Sequence, residues 1–130
     1  MALTYGGFIT NLMAMSVTGV ASTSAAPPRV DASANYPQMF PRLPEGEREI
    51  LTVGSTAGLT SAVVDVVVVI ERDALNLSET NFDDTVTIMD ALNSALVTEA
   101  AANNEIDSWS FEALQTEWGW SVVARVEGSG

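Results

Sequence analysis

Residues 60–72 read TSAVVDVVVVIER, and this stretch decides the fold. Its valines and isoleucine are β-branched, so they lose side-chain freedom in a helix and pack well on a pleated surface. The stretch therefore predicts a long strand near the middle of a sheet. Successive residues of a strand point to opposite faces. One face is wholly apolar and consists of Ala62, Val64, Val66, Val68 and Ile70. We expect this face to carry the hydrophobic core.

The opposite face of the same strand mixes apolar and charged side chains. It consists of Val63, Asp65, Val67, Val69 and Glu71. It is too apolar for a freely solvated surface and too charged to lie under a second layer of helices. A second copy of the same protein is the cover we expect, because such patches mark subunit contacts. On this basis Val67→Lys is expected to leave the fold intact by circular dichroism and to block assembly.

The composition limits both the architecture and the chemistry. A chain of 130 residues with a hydrophobic fraction of 47% predicts one domain over residues 1–130. Cysteine, histidine and lysine are absent, so the five basic residues are all arginine. Catalysis by histidine or cysteine is therefore excluded, and so is Schiff-base chemistry on lysine.

Acidic residues dominate the charge of the chain. Seventeen acidic residues against five arginines give a formal net charge of -12. Such a chain repels phosphate backbones unless its arginines converge on one patch, and their wide spacing does not indicate one. The charge suits solubility in a salty habitat, mimicry of DNA, or a surface that lets DNA pass without sticking. General solubility is the simplest of these accounts.

The first 26 residues predict a helix and not a targeting segment. No Lys or Arg precedes the apolar part, as a secretory signal requires. Polar residues interrupt it too often for a membrane-spanning helix. The helix is expected over residues 4–17. Its inner face should comprise Tyr5, Ile9, Leu12 and Met13, with Phe8 and Met15 beside them.

All five prolines lie in a segment rich in Ala, Ser and Pro, which predicts an extended loop within about residues 27–46. Only a short edge strand near residues 29–32 is expected there. Residues 36–44 read YPQMFPRLP and hold large apolar side chains on a stiff backbone. This part either lies under the sheet as a satellite of the core or reaches a neighbouring subunit as a preordered arm. In a buried setting, Arg42 would need a carboxylate partner.

Residues 47–53 predict a strand, and residues 54–58 a turn that pairs it with the long strand. A second helix is predicted over residues 82–99, with Thr80 or Asn81 as its N-cap. Its apolar face should comprise Phe82, Val86, Met89, Leu92, Leu96 and Val97. The side chains expected to face water are Asp83, Thr87, Asp90, Ser94 and Thr98.

The last part of the chain predicts a β-hairpin with its turn at residues 115–119. One face of the first arm should carry Trp109, Phe111 and Ala113. The matching face of the second arm should carry Trp120, Val122, Ala124 and Val126. Residues 128–130 read GSG and are expected to fray.

Chemical motifs are largely absent. There is no glycine-rich phosphate loop and no serine in a recognisable catalytic setting. Asp83 and Asp84 are adjacent on the predicted helix, so they point about 100° apart and are explained better by helix capping. The alternating Glu45, Glu47 and Glu49 suggest a calcium site, but a charged strand edge explains them better. We predict no enzymatic activity, no cofactor and no metal.

The order of elements can now be compared with known architectures. A helix is followed by the proline-rich segment with FPRLP at residues 40–44, and then by two or three antiparallel strands. The helix opened by NFDD at residues 81–84 precedes a strand pair ending in WSVVARV at residues 120–126. This order resembles the tail terminator proteins of long-tailed bacteriophages, which are similar in length. The resemblance covers nearly the whole chain, but it is a pattern without a signature motif. The elements and the resemblance predict an α+β fold: a mixed, mainly antiparallel sheet of four to five strands with two helices on one face.

The resemblance also implies a function. Tail terminators are structural virion proteins that form a ring, usually hexameric, on the last ring of tail-tube protein. The ring stops tube growth and joins the tail to the head–neck connector or stopper protein. The expected partners are therefore copies of the chain itself, the tail-tube protein and the connector. The genome would pass through the lumen without specific binding, and no membrane is involved. The expected location is the tail or neck of the virion, and the host cytoplasm during assembly.

Seven residues are candidates for subunit or partner contacts: Phe40, Arg42, Leu43, Asp65, Val67, Val69 and Glu71. Other functions stay open. Another head–tail joining, neck or tail-completion protein would share the same features. An acidic DNA-mimic inhibitor would display its carboxylates in rows, whereas here they are scattered. A ligand-binding or enzymatic domain would need polar groups that converge in a pocket. The oligomeric state of the purified protein distinguishes these classes.

Overall fold

The computed structural model describes residues 4–24, 27, 36–43, 52–53, 59–72, 79–102 and 105–129. Within these ranges the chain forms two helices and six strands. The helices are α1 (Tyr5–Met13) and α2 (Glu79–Ala102). The strands are β1 (Ser22–Thr23), β2 (Gln38–Arg42), β3 (Thr52–Val53), β4 (Leu59–Arg72), β5 (Ile106–Thr116) and β6 (Gly119–Ser129).

All strands belong to one sheet with the order β1-β2-β4-β6-β5. The short strand β3 also pairs with β4, at the end of β4 that β2 leaves free. β1 and β2 are parallel, and the other pairs are antiparallel. Both helices pack on the same face of the sheet. The predicted α+β fold, with a mixed and mainly antiparallel sheet, is confirmed.

The core lies between the two helices and the apolar face of β4. The five alternate residues from Ala62 to Ile70 are all buried there, as their spacing predicts. The aromatic face of the β5–β6 hairpin packs against the same core, with Trp109 opposite Val126 and Phe111 opposite Ala124. The two terminal strands therefore extend the core face of β4 as the sequence predicts.

Helix α1 is shorter than predicted. Thr4 is its N-cap and accepts a hydrogen bond from the Gly7 N–H at 3.0 Å. The helix ends at Met13, whereas the spacing of apolar residues predicts helix to residue 17. Met15 and Val17 are nevertheless buried, because they reach the core from non-helical backbone. The apolar spacing thus identified core residues but not the end of the helix.

Helix α2 is longer than predicted and is rotated about its axis. Its buried side chains are Asn81, Thr85, Ile88, Leu92, Ala95 and Leu96. Three residues expected in the core, Phe82, Val86 and Val97, are exposed instead. The reason lies in two polar residues that turn inward. Trp120 Nε1 donates to Thr85 Oγ1 at 3.1 Å, and Asn81 Nδ2 donates to Glu71 Oε2 at 3.4 Å.

The proline-rich segment contains a strand where the sequence predicts a loop. β2 pairs with β4 over five residues despite Pro41 in its interior. The Met39 carbonyl accepts from Ser24 N on the β1 side, so Pro41, two residues further on, also directs its nitrogen away from β4. Its missing N–H therefore costs the β2–β4 ladder nothing. The short strand predicted near residues 29–32 lies outside the described residues.

Residues 128–130 were predicted to fray, but residues 128 and 129 belong to β6. Residue 130 lies outside the described residues. Gly128 is buried in β6, and Ser129 N donates to the Glu105 carbonyl at 2.8 Å. A Cβ atom on Gly128 would lie 2.7 Å from both that carbonyl oxygen and Phe8 Cζ. Gly128 therefore permits close packing, whereas the glycine-rich composition of this tail had predicted flexibility.

Gly128→Ala is expected to lower the free energy of unfolding by about 1–3 kcal/mol, because the backbone of residue 105 cannot yield as a side chain would. Gly6→Ala is the matched control, since a Cβ atom there meets nothing within 4 Å. Urea denaturation measures both changes. Equal stability of the two variants would contradict the close packing of β6 against α1.

Candidate interaction site

The face of the sheet opposite the helices carries a second, smaller cluster. It is formed by the buried residues Phe40, Val67, Val69 and Val123, with Tyr36, Leu114 and Trp118 partly buried around them. We call this side of the sheet the open face, because the helix residues packed on the sheet all belong to the other cluster. Phe40 and Trp118 meet edge to face, with ring centroids 4.7 Å apart.

Three charged residues form a row across the open face. Arg42 on β2, Asp65 on β4 and Arg125 on β6 lie directly opposite one another on neighbouring strands. Asp65 Oδ1 accepts from Arg125 Nε at 2.9 Å. Asp65 Oδ2 accepts from Arg42 Nη2 at 3.1 Å and from Arg125 Nη2 at 3.2 Å. We call these three residues the arginine row.

The arginine row and its surroundings carry mixed charges, since the carboxylates of Glu112 and Glu127 also lie near Arg125. The single carboxylate of Asp65 is fully buried and accepts hydrogen bonds from two guanidinium groups. Arg42 Nε is shielded from solvent and has no acceptor among the described residues. The side-chain hydrogen bond with Asp65 raises the pKa of Arg125 above its usual value, and burial opposes this effect. The charges of Asp65, Glu112 and Glu127 also raise that pKa.

A groove opens beside the arginine row. Its volume is about 390 Å³, and its lining comprises Arg42, Ser110, Phe111, Glu112, Val123 and Arg125. A second depression of about 320 Å³ also includes Arg125 and extends to Ser108 and Glu127. Arg125 therefore lines both depressions. The groove therefore offers two guanidinium groups beside Ser110, with the carboxylate of Glu112 as an opposing charge.

The structure places the seven predicted contact residues in different environments. Phe40, Asp65, Val67 and Val69 are fully buried within the protomer. Arg42 is partly buried and finds the carboxylate partner that burial requires, Asp65. Leu43 is 58% exposed. Glu71 is also exposed, but it follows the irregularity after Val69 and accepts a hydrogen bond from Asn81 of α2, so the prediction that it continues the face of Val67 and Val69 is wrong.

The expectation that this face presents exposed contact side chains is therefore corrected for four of the seven residues. Side chains of the neighbouring strands cover the centre of β4, because Phe40 and Val123 flank Val67 across the sheet. Phe40 belongs to this cluster and not to an arm that reaches outwards. A partner on the open face would meet the rim of the cluster and the arginine row, with Leu43 beside them.

Sequence reasoning missed Arg125 as a member of the site. The alternation of residues 120–126 places Arg125 on the face of the hairpin that lies opposite the aromatic core face. This alternation is the sequence signal that could have identified Arg125. The sequence does not reveal the pairing register between β4 and β6, which places Arg125 opposite Asp65. Two arginines that are distant in sequence thus converge on one carboxylate, although their spacing gives no sign of it.

No group of three or more acidic side chains in the described ranges is arranged to hold a metal ion. The candidate set of Glu45, Glu47 and Glu49 lies outside the described residues. Neither described helix is long and apolar enough to cross a membrane. Comparisons with models of known families, with curated proteins and with solved structures found no match.

Proposed function

We propose that the chain is the subunit of a structural homo-oligomeric ring in a virus particle, similar to the tail terminators of long-tailed bacteriophages. The observation that carries the proposal is the one-sided sheet. Two helices cover one face, and among the described residues only the small cluster around Phe40 and the arginine row cover the other. The order of elements and the placement of both helices are those that the resemblance implies.

The open face has the composition of a protein–protein contact. Partly buried apolar side chains surround its buried cluster, and charged groups lie beside them, which is the mixture found at interfaces between folded partners. When such a face binds a different surface of the next copy, the contact is heterologous. A heterologous contact closes into a ring if its rotation divides the circle, and a hexamer is the form that the resemblance implies.

In this role the ring sits on the tail-tube protein, stops its polymerisation and presents its other side to the head–neck connector. Its location is the tail or neck of the virion. The function requires no catalytic group and no cofactor. Another head–tail joining or tail-completion protein would have the same architecture, and the ability to cap tubes distinguishes the terminator from these.

Electron microscopy of the purified protein in negative stain tests the proposal. Closed rings are expected, and addition of the chain to polymerising tail-tube protein of the same virus should shorten the tubes. The matched sample is tube protein alone. Particles that remain single protomers at every concentration and salt level examined would overturn the proposal. Rings without any effect on the tubes would favour another neck component.

The acidity of the chain leads to a separate prediction for the lumen. Phosphates release no counterions when they meet carboxylates, so a net charge of -12 should let DNA slide without sticking. In the described cluster, Arg42 and Arg125 already bind Asp65. Duplex DNA is therefore expected not to bind at low salt in a fluorescence anisotropy assay. A Kd below about 1 µM there would contradict this role of the acidity.

A further inference from the structure

Strand β5 lies at one side of the sheet, and its outer edge has no partner strand in the described part of the chain. β6 pairs with it on the inner side, and the strand order ends at β5. Apart from the ladder with β6, residues 106–116 make no backbone–backbone hydrogen bond to the described residues. Alternate residues of an antiparallel strand direct their N–H and C=O groups away from the partner, so the outer edge of β5 presents a row of backbone donors and acceptors.

The two sides of the sheet differ in how they would receive another strand. On the other side, β1 already pairs with the first residues of β2, and Pro41 has no N–H to offer. β5 is 11 residues long and contains neither proline nor glycine. Its irregularity falls at its start, between Ile106 and Ser108. From residue 108 onwards β5 is therefore a regular edge on which a further strand can pair.

Exposed apolar side chains of α2 lie on the side of the helix that faces this edge. Trp109 Nε1 on β5 donates to Asn93 Oδ1 on α2 at 2.9 Å, so the side of α2 that carries Asn93 is turned towards β5. Val97 lies one turn after Asn93 on the same side, Val86 lies two turns before it, and Phe82 lies one turn further back. Val86, Val97 and Phe82 are 42%, 52% and 50% exposed. We call these three residues the α2 flank.

The two elements that bound this site are acidic. Together α2 and β5 contain seven acidic residues and no basic residue. Glu112 is exposed in the middle of β5, and Asp90 is exposed one turn after Val86. Arg125 on β6 lies near Glu112, but it already binds the carboxylate of Asp65. Charge complementarity therefore favours a positively charged partner.

We propose that the outer edge of β5 binds an extended segment of another protein, which adds a strand to the sheet and alternates apolar with basic side chains. The backbone of this segment bonds the outer N–H and C=O groups of β5. Cross-strand neighbours point to the same face, so a basic side chain opposite Glu112 meets its carboxylate. The residues on either side of that basic residue point to the helix side, where apolar side chains contact the α2 flank and the half-buried ring of Phe111.

A second copy of the chain matches this site less well than a basic strand. Pairing of β5 with β5 brings two acidic edges together in a chain whose net charge is -12. The site adds a binding partner to the proposed function and does not depend on the ring, which is built from the open face. Failure of the experiments below would therefore leave the proposed ring standing.

A synthetic peptide tests the proposal. The probe has about eight residues that alternate valine and arginine, with blocked ends and a fluorescent label. Fluorescence anisotropy at about 0.15 M salt should give a Kd below about 1 mM. The same peptide with glutamate in place of arginine is the control and should not bind. A Kd above about 1 mM for the arginine peptide would overturn the proposal.

Charge reversal on β5 tests where the peptide binds. Glu112→Lys should weaken binding at least about tenfold, because it sets a cation against the arginine side chains. Asp84→Lys changes the net charge equally at an exposed position on the other side of α2 from Asn93, and it should weaken binding much less. Circular dichroism shows whether each variant is folded. Equal weakening by the two substitutions would mean that the peptide responds only to total charge, and the site would be refuted.

Methylation of the peptide backbone separates strand pairing from charge attraction. Only one edge of an added strand can face β5, so N-methyl groups on one alternate set of residues should abolish binding, whereas those on the other set should largely preserve it. The two methylated peptides carry the same charge. Equal affinity of the two would contradict an added strand.

Amide hydrogen exchange followed by NMR locates the contact on the chain. Addition of the arginine peptide should slow exchange at alternate residues between 109 and 115, namely those whose N–H groups point away from β6. Slower exchange elsewhere with no change in β5 would overturn the site. Protection of the same amides without peptide, rising with protein concentration, would assign the edge to a second copy and would also overturn the basic partner.

Discussion

Asp65→Ala is expected to lower the free energy of unfolding by about 3–5 kcal/mol, because it leaves two partly buried arginines without their shared carboxylate. Arg42 and Arg125 lie on the two strands that flank β4, so the substitution also sets two like charges against each other across the sheet. Urea denaturation followed by tryptophan fluorescence measures the loss. Asp107→Ala, at an exposed position of β5, is the control and should change stability by less than about 0.5 kcal/mol.

Replacing all three residues of the arginine row is expected to affect stability less than replacing Asp65 alone. A triple variant with Arg42→Met, Asp65→Val and Arg125→Met removes the charges together and should be about as stable as the natural chain. The same variant should weaken self-association, because the arginine row belongs to the open face that we propose as a subunit contact. A loss below about 1 kcal/mol for Asp65→Ala alone would contradict a buried carboxylate that holds both arginines.

Val67→Lys is expected to destabilise the protomer by more than about 3 kcal/mol, since it puts an unpaired charge where the side chain has no exposed surface. The sequence alone led to the opposite expectation, an intact fold with blocked assembly. The difference comes from Phe40 and Val123, which cover Val67 from the neighbouring strands. Thermal unfolding followed by circular dichroism distinguishes the two outcomes.

Glu112→Lys is the matched control for this prediction. Val67, Val123 and Glu112 lie side by side on the neighbouring strands β4, β6 and β5. Glu112 is the exposed residue of the three. A lysine there should leave the melting temperature nearly unchanged. If Val67→Lys kept its natural stability and lost only assembly, the open face would be covered by another copy and not by the protomer's own side chains.

Periodicity predicted those parts of the fold in which one face is wholly apolar. Alternation along β4 identified the core face, and alternation along β6 placed Val122, Ala124 and Val126 in the same core. In α2 the hydrophobic residues are spread around more than half of the helix, so the sequence did not fix its rotation. Hydrogen bonds from Trp120 to Thr85 and from Asn81 to Glu71 decide it, and both join residues on different elements.

The candidate site was only partly predictable for a similar reason. The apolar residues next to Arg42 in the sequence predicted that a buried Arg42 would need a carboxylate partner. Asp65 is that partner. The second arginine depends on the register between β4 and β6, which is shifted by an irregularity near Val69 and Glu71. The proline content also led to the wrong prediction of a loop where β2 forms. A strand near the side of a sheet tolerates Pro41 when the proline nitrogen points away from the strand with which it pairs.

The molar mass of the assembled protein tests the central claim most directly. Multi-angle light scattering on the purified chain, over a range of concentration and salt, should show a single closed species whose mass is a fixed multiple of 13.7 kDa, six-fold in the hexamer that the resemblance implies. The species should persist on dilution more strongly in the natural chain than in the triple variant of the arginine row. A mass of 13.7 kDa under all of these conditions would contradict a ring built from the open face.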